Sequence, residues 1–150
     1  MEDIRAIERL QAEYWDALDA KDWEGLRACL VEDFVFVNNT TGGRYEGREG
    51  MIATMQAKFS DGVTSSHHGH HHWIDLIGDG TAVSHWALQD DLYDAGHGGE
   101  FVGRAHYDNA YVKIDGQWRF TKMSLTYLRG EASIRKSSED CANAYKVFMM

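Results

Sequence analysis

Three clusters of turn-forming residues divide the second half of the chain into long segments: Gly78-Asp79-Gly80, Asp94-Ala95-Gly96-His97-Gly98-Gly99 and Asp115-Gly116. Around them lie stretches rich in β-branched and aromatic residues, at 67–77, 81–93, 100–114 and 118–128. Runs of this composition joined by Gly/Asp turns read as strands and hairpins. The expectation is four strands in an antiparallel meander.

The first half carries the helical period. Residues 2–20 place Ile4, Ile7, Leu10, Tyr14 and Leu18 on one stripe, the mark of an amphipathic helix. Glu2 and Asp3 suit the positive end of its dipole, whereas Asp19 falls at the negative end, so another group is expected to hold that carboxylate. Asp22 reads as the N-cap of a second, short helix with Trp23, Leu26 and Leu30 on one face. Phe34-Val35-Phe36-Val37 reads as a strand, ended by the turn Asn38-Asn39-Thr40-Thr41-Gly42-Gly43; Tyr45 belongs to a short strand. Gly47 precedes a third helix bearing Ile52, Met55 and Phe59, and 60–64 reads as a loop. Helices followed by a run of antiparallel strands predict an α+β fold, with the helices on one face of a curved sheet. The last segment, 131–150, has Ile134, Cys141, Tyr145 and Phe148 near helical spacing and is expected to form a C-terminal helix.

Bulk properties narrow the function classes. A chain of 150 residues is the size of one domain. Its net charge of −9 disfavours nucleic acid and anionic membrane as partners. No apolar run is long enough to span a membrane, and no signal-peptide pattern precedes the first helix. Cys29 and Cys141 lie far apart in no motif and read as free thiols, so the cytoplasm is the expected compartment. Five Trp, seven Tyr and six Phe exceed what a small core requires and are expected to line a pocket in part.

Five of the eight histidines fall within six positions, in Ser65-Ser66-His67-His68-Gly69-His70-His71-His72-Trp73-Ile74-Asp75-Leu76. Strand alternation puts His67, Gly69, His71 and Trp73 on one face and His68, His70, His72 and Ile74 on the other. A histidine facing an apolar cavity suits a general base near neutral pH. Histidines two apart on a strand also fit zinc, but no Cys-x-x-Cys or His-Glu-x-x-His pattern supplies the remaining ligands, so no metal is expected. On the following strand Trp86, Leu88 and Asp90 share a face, which gives Asp90 apolar company and an elevated pKa.

Several local patterns resemble the SnoaL-like branch of the nuclear transport factor 2 superfamily. Tyr14-Trp15-Asp16-Ala17-Leu18-Asp19-Ala20-Lys21-Asp22-Trp23 resembles its first-helix signature, and Val31-Glu32-Asp33-Phe34 the approach to its first strand. Tyr45-Glu46-Gly47-Arg48-Glu49-Gly50 resembles the turn into its third helix, and Tyr107-Asp108 with Asp115-Gly116-Gln117-Trp118-Arg119 its closing hairpin. The resemblance covers about residues 4–128, leaving 129–150 as an extension. It implies a cone-shaped barrel of mostly antiparallel sheet wrapped around three N-terminal helices.

That branch includes scytalone dehydratase, bile acid 7α-dehydratase, hexachlorocyclohexane dehydrochlorinase and polyketide cyclases. By resemblance its catalytic histidine falls on His67, its aspartate on Asp19 and its tyrosine on Tyr14. Asp90, Tyr107, His71 and Trp86 become the expected substrate contacts. Which of His67, His68 and His71 is the base stays open, because the family often has asparagine at the position of His71. The implied activity is a cofactor-independent lyase, a dehydratase or a related eliminating, C–C-cleaving or cyclising enzyme. Its substrate is expected to be small and apolar, and its assembly a homodimer or homotrimer. The competing reading is a non-catalytic module of the same fold that binds a small molecule or a protein.

Overall fold

The computed structural model describes residues 1–134. The elements run α1 (Glu2–Ala20), α2 (Trp23–Cys29), β1 (Leu30–Asn38), β2 (Gly43–Glu46), α3 (Arg48–Lys58), β3 (Val63–Gly78), β4 (Thr81–Asp94), β5 (Gly99–Ile114) and β6 (Gln117–Ile134). The strands form one curled sheet in the order β2-β1-β6-β5-β4-β3. Every neighbouring pair is antiparallel except β1 and β6. The α+β expectation therefore holds, with β1 returning to the far side of the meander as its one parallel member.

Helix α1 forms because its apolar residues recur with the helical period, and Ile7, Leu10, Gln11, Tyr14, Trp15 and Leu18 are all buried against the sheet. Burial of each large apolar side chain stabilises the fold by roughly 1.5–3 kcal/mol. The helix is pinned at both ends. Near its start Asp3 accepts from Trp118 Nε1 (2.9 Å) and Lys113 Nζ (2.7 Å). At its other end Lys21 turns into the left-handed region, φ 57°, and its N–H returns to the carbonyls of Ala17 and Leu18. Asp22 caps α2 by accepting from Gly25 N–H.

Strand β4 shows strict alternation: Ala82, Ser84, Trp86, Leu88, Asp90 and Leu92 are buried and face the helices. Strand β3 does not. Between the pairs His70↔Ala87 and Trp73↔His85, His71 and His72 together oppose the single residue Trp86. This is a bulge, with His71 held at φ 45°. The extra residue inverts the phase of everything after it. Gly69 still points inward, but Trp73 turns out and is 51% exposed, while Ile74 turns in against the core.

Two boundaries differ from the sequence reading. Strand β3 begins at Val63 inside the expected loop, paired with Asp94, and Leu30 opens β1 instead of closing α2. Of the C-terminal helix expected from residue 131, residues 131–134 instead continue β6, with Ala132 opposite Phe101. The rest of that expected helix lies outside the described residues.

Candidate active site

The end of α1 and the first half of β3 meet over one carboxylate. Asp19 Oδ1 accepts from His67 Nδ1–H at 2.6 Å and from Ser65 Oγ–H at 2.7 Å, and Oδ2 accepts the His67 backbone N–H at 3.0 Å. Three donors thus hold a carboxylate that the helix dipole alone disfavours. Burial raises the Asp19 pKa, but the His67 hydrogen bond and charge and the Ser65 and backbone donors outweigh it, so Asp19 ends below its ordinary value. An ionised Asp19 fixes the proton of a neutral His67 ring on Nδ1 and leaves Nε2 without one. The His67 side chain is only 5% exposed and its ring lies against Phe59, 6.2 Å between centroids.

Directly across the ladder from His67 stands Asp90 on β4. It is 2% exposed; its Oδ2 accepts from the Tyr127 hydroxyl at 2.5 Å, and its Oδ1 has no partner. Burial is the dominant influence on Asp90 and outweighs Tyr127, His67 and Lys58, so its carboxyl is pushed above the ordinary range. Opposite Asp90 on β5 is Gly103. A Cβ there would lie 1.9 Å from Asp90 Oδ1 and 2.6 Å from Tyr127 Cε1. The missing side chain is what lets the carboxyl and the phenol meet.

These groups surround one enclosed cavity of about 30 Å3, lined by Tyr14, Lys58, His67, Asp90, Tyr107 and Tyr127 among others. That volume admits little more than one water. Burial, the largest influence on each, raises the phenols of Tyr14, Tyr107 and Tyr127 above their ordinary value. All three therefore remain neutral O–H groups around the cavity. A much larger concavity of about 700 Å3 lies outside, between α1, α2 and the β5–β6 turn. It contains no histidine and neither member of the dyad, so chemistry rather than size selects the inner cavity.

His67, Asp19, Tyr14, Asp90 and Tyr107 thus converge as the sequence suggested. His71 and Trp86 do not join them. The bulge at His71 turns its side chain to solvent. Trp86 is buried beyond the cavity, edge-on to Trp15 at 5.5 Å and stacked on His72 at 4.0 Å. His72 pairs with Glu8 and His68 with Ser66, and among the described residues no three potential ligands converge to hold a metal. Sequence reasoning missed Ser65, Lys58, Gly103 and Tyr127. Of these only Tyr127 had a visible signal, sharing a strand face with Met123 and Leu125.

Residues 1–124 match the SnoaL-like domain family. The chain belongs to that family. Its structure is similar to a protein from Novosphingobium aromaticivorans proposed as a scytalone dehydratase, with TM-score 0.80 and 24% identity over 90% of each chain. It is also similar to hexachlorocyclohexane dehydrochlorinase LinA-type3 from Novosphingobium barchaimii, with TM-score 0.77 and 16% identity over 88% of this chain and 90% of that one. A third neighbour is ActVI-ORFA from Streptomyces coelicolor, with TM-score 0.73 and 16% identity over 85% and 98%. At these identities the likeness is one of fold.

Proposed function

We propose that this SnoaL-like chain is a cofactor-independent lyase that removes a proton from carbon and expels a leaving group, most simply water, from the neighbouring carbon. The observation that supports this most is the pairing across one cavity of an Asp19-anchored imidazole and a buried, pKa-raised Asp90 carboxyl. Two titratable groups whose surroundings push them toward opposite roles make a base and an acid. The dehydratase and dehydrochlorinase named among the structural neighbours are eliminating enzymes, which agrees with this chemistry.

In the proposed step the C–H bond breaks and its proton passes to His67 Nε2. Asp19 stabilises the imidazolium that results. Where the carbon is next to a carbonyl the electron pair is held first as an enolate; it then forms the C–C double bond as the C–O bond breaks, and the departing oxygen takes the proton of the Asp90 carboxyl. Water leaves, and a later proton transfer from His67 to Asp90 through solvent resets both groups. Tyr14 and Tyr107 donate to oxygen atoms of the bound substrate. The aromatic and apolar lining, with Leu18, Phe36, Phe59 and Leu125, fits a small, apolar, ring-containing substrate.

The test is proton exchange. Small cyclic and aromatic ketones are incubated with the protein in deuterated buffer and followed by proton NMR. Wild type is expected to exchange the hydrogen next to the carbonyl, with His67→Gln reduced by roughly 10²–10⁴-fold. Equal exchange rates in wild type and His67→Gln would remove the base from the mechanism.

A further inference from the structure

Lys58 is the last residue of α3 and, among the described residues, the one Lys or Arg that lines the dyad's cavity. The neighbouring cations are already engaged: Lys21 Nζ donates to the Ser60 carbonyl, and Arg27 and Arg48 both pair with Glu49. Lys58 has no hydrogen bond or ion pair among the described residues, although a lysine ordinarily keeps its charge in water. Asp90 Oδ1, on the same cavity, is also without a partner. The two groups influence each other electrostatically yet form no ion pair. Both line the same cavity, which His67 and Tyr127 also border.

We propose that Lys58 is the oxyanion-binding residue of this cavity, its ammonium donating to the substrate oxygen that gains charge as His67 removes the adjacent proton. The inference rests on the proton-abstraction reading above and names the substrate class for it. The carbon that loses the proton is activated by a carbonyl, so the negative charge comes to rest on oxygen, as an enolate. A substrate without a carbonyl would give Lys58 no enolate oxygen to bind.

The physical setting favours this role. Burial draws the Lys58 amine below its ordinary pKa, and the attraction of Asp90 opposes that only in part. Lys58 is half-buried, and at the cavity wall the local dielectric is below that of water, so its ammonium gains more from a developing oxyanion than a fully solvated one does. Charge collecting on the substrate oxygen supplies the partner that the amine lacks.

The probe is 2-naphthol, whose ionised form resembles an enolate and has its own absorption and emission bands. Its ionisation is followed against pH when bound to wild type, Lys58→Met, Lys58→Arg and His67→Gln, each first checked by circular dichroism for a native fold. The expected result is preferential binding of naphtholate by wild type, Lys58→Arg and His67→Gln. Lys58→Met is expected to lose at least ~10-fold in naphtholate affinity, one pKa unit of the bound probe, while binding neutral naphthol about as before. Equal naphtholate preference in Lys58→Met and wild type would overturn the proposal. So would a borohydride-stable adduct of a ketone on Lys58, since the amine would then be a nucleophile. The two readings fail separately: naphtholate binding through Lys58 without ketone proton exchange would sink proton abstraction and leave the oxyanion site standing.

Discussion

His67 and Asp90 face each other across the β3–β4 ladder, yet the surroundings drive their partners apart. Behind His67 lies Asp19, held below its ordinary pKa by donors from two residues. Asp90 itself, with one oxygen on Tyr127 and the other bare, is held above it. The same residue type is thus held below its ordinary pKa on α1 and above it on β4.

That opposition gives two asparagine variants opposite pH signatures. Asp19 has a folded pKa below its unfolded value, so its contribution to stability is present above pH ~4 and fades as pH falls through the folded pKa. Asp90 has a folded pKa above its unfolded value, so it favours the fold at low pH and costs stability as pH rises through the folded pKa. Relative to wild type, Asp19→Asn should therefore be most destabilised near neutrality and recover toward acid pH. Asp90→Asn should gain in relative stability from pH ~4 upward. Urea denaturation at a series of pH values measures both; parallel curves for the two variants would refute the assignment.

Removing the anchor should cost activity far more than fold. Asp19→Asn keeps an oxygen for Ser65 but no longer requires the His67 proton to sit on Nδ1. The expected loss in turnover is roughly 10²–10⁴-fold, with circular dichroism unchanged. The ketone exchange assay gives the number, and a loss below about threefold would show that the carboxylate does not set the tautomer.

Gly103 should tolerate no side chain. In Gly103→Ala the new Cβ would overlap Asp90 Oδ1 and Tyr127 Cε1, both of which must rotate away. The fold should lose roughly 1–3 kcal/mol by overpacking, and the acid should lose its geometry. Thermal melts with the exchange assay report the two effects; unimpaired activity would mean that Asp90 is a bystander.

Lys58→Met should separate stability from function. Methionine fills similar volume without a charge to desolvate, and Asp90 can respond by staying protonated. Stability should be unchanged or higher by about 0.5–2 kcal/mol while activity falls. A large drop in melting temperature would make Lys58 a structural residue instead.

Much of the architecture was legible because it rests on period and punctuation. The stripe of α1, the Gly/Asp turns of the meander and the alternation of β4 each use one local rule, and the structure follows them. Asp19 and His67 were legible for another reason: a carboxylate at the wrong end of a helix dipole needs a donor, and the family resemblance named one. The misassignments of His71 and Trp73 come from a single bulge. Non-glycine residues seldom adopt φ 45°, and nothing in a run of histidines marks which of them will. Lys58 was hidden because a lysine in the last turn of a helix ordinarily serves the dipole in water. Only the curl of the sheet beneath α3 turns it toward the cavity. Gly103 was hidden because its role is defined by Asp90 and Tyr127, which come together only in the folded sheet.

The dyad itself is tested most directly by the tautomer of His67, read from long-range proton–nitrogen NMR spectra of wild type and Asp19→Asn at neutral pH. The expected result is a single Nδ1-protonated ring in wild type with Nε2 bare, and loss of that preference in the variant. An Nε2-protonated ring in wild type, or the same tautomer in both proteins, would contradict the assignment of His67 as the base.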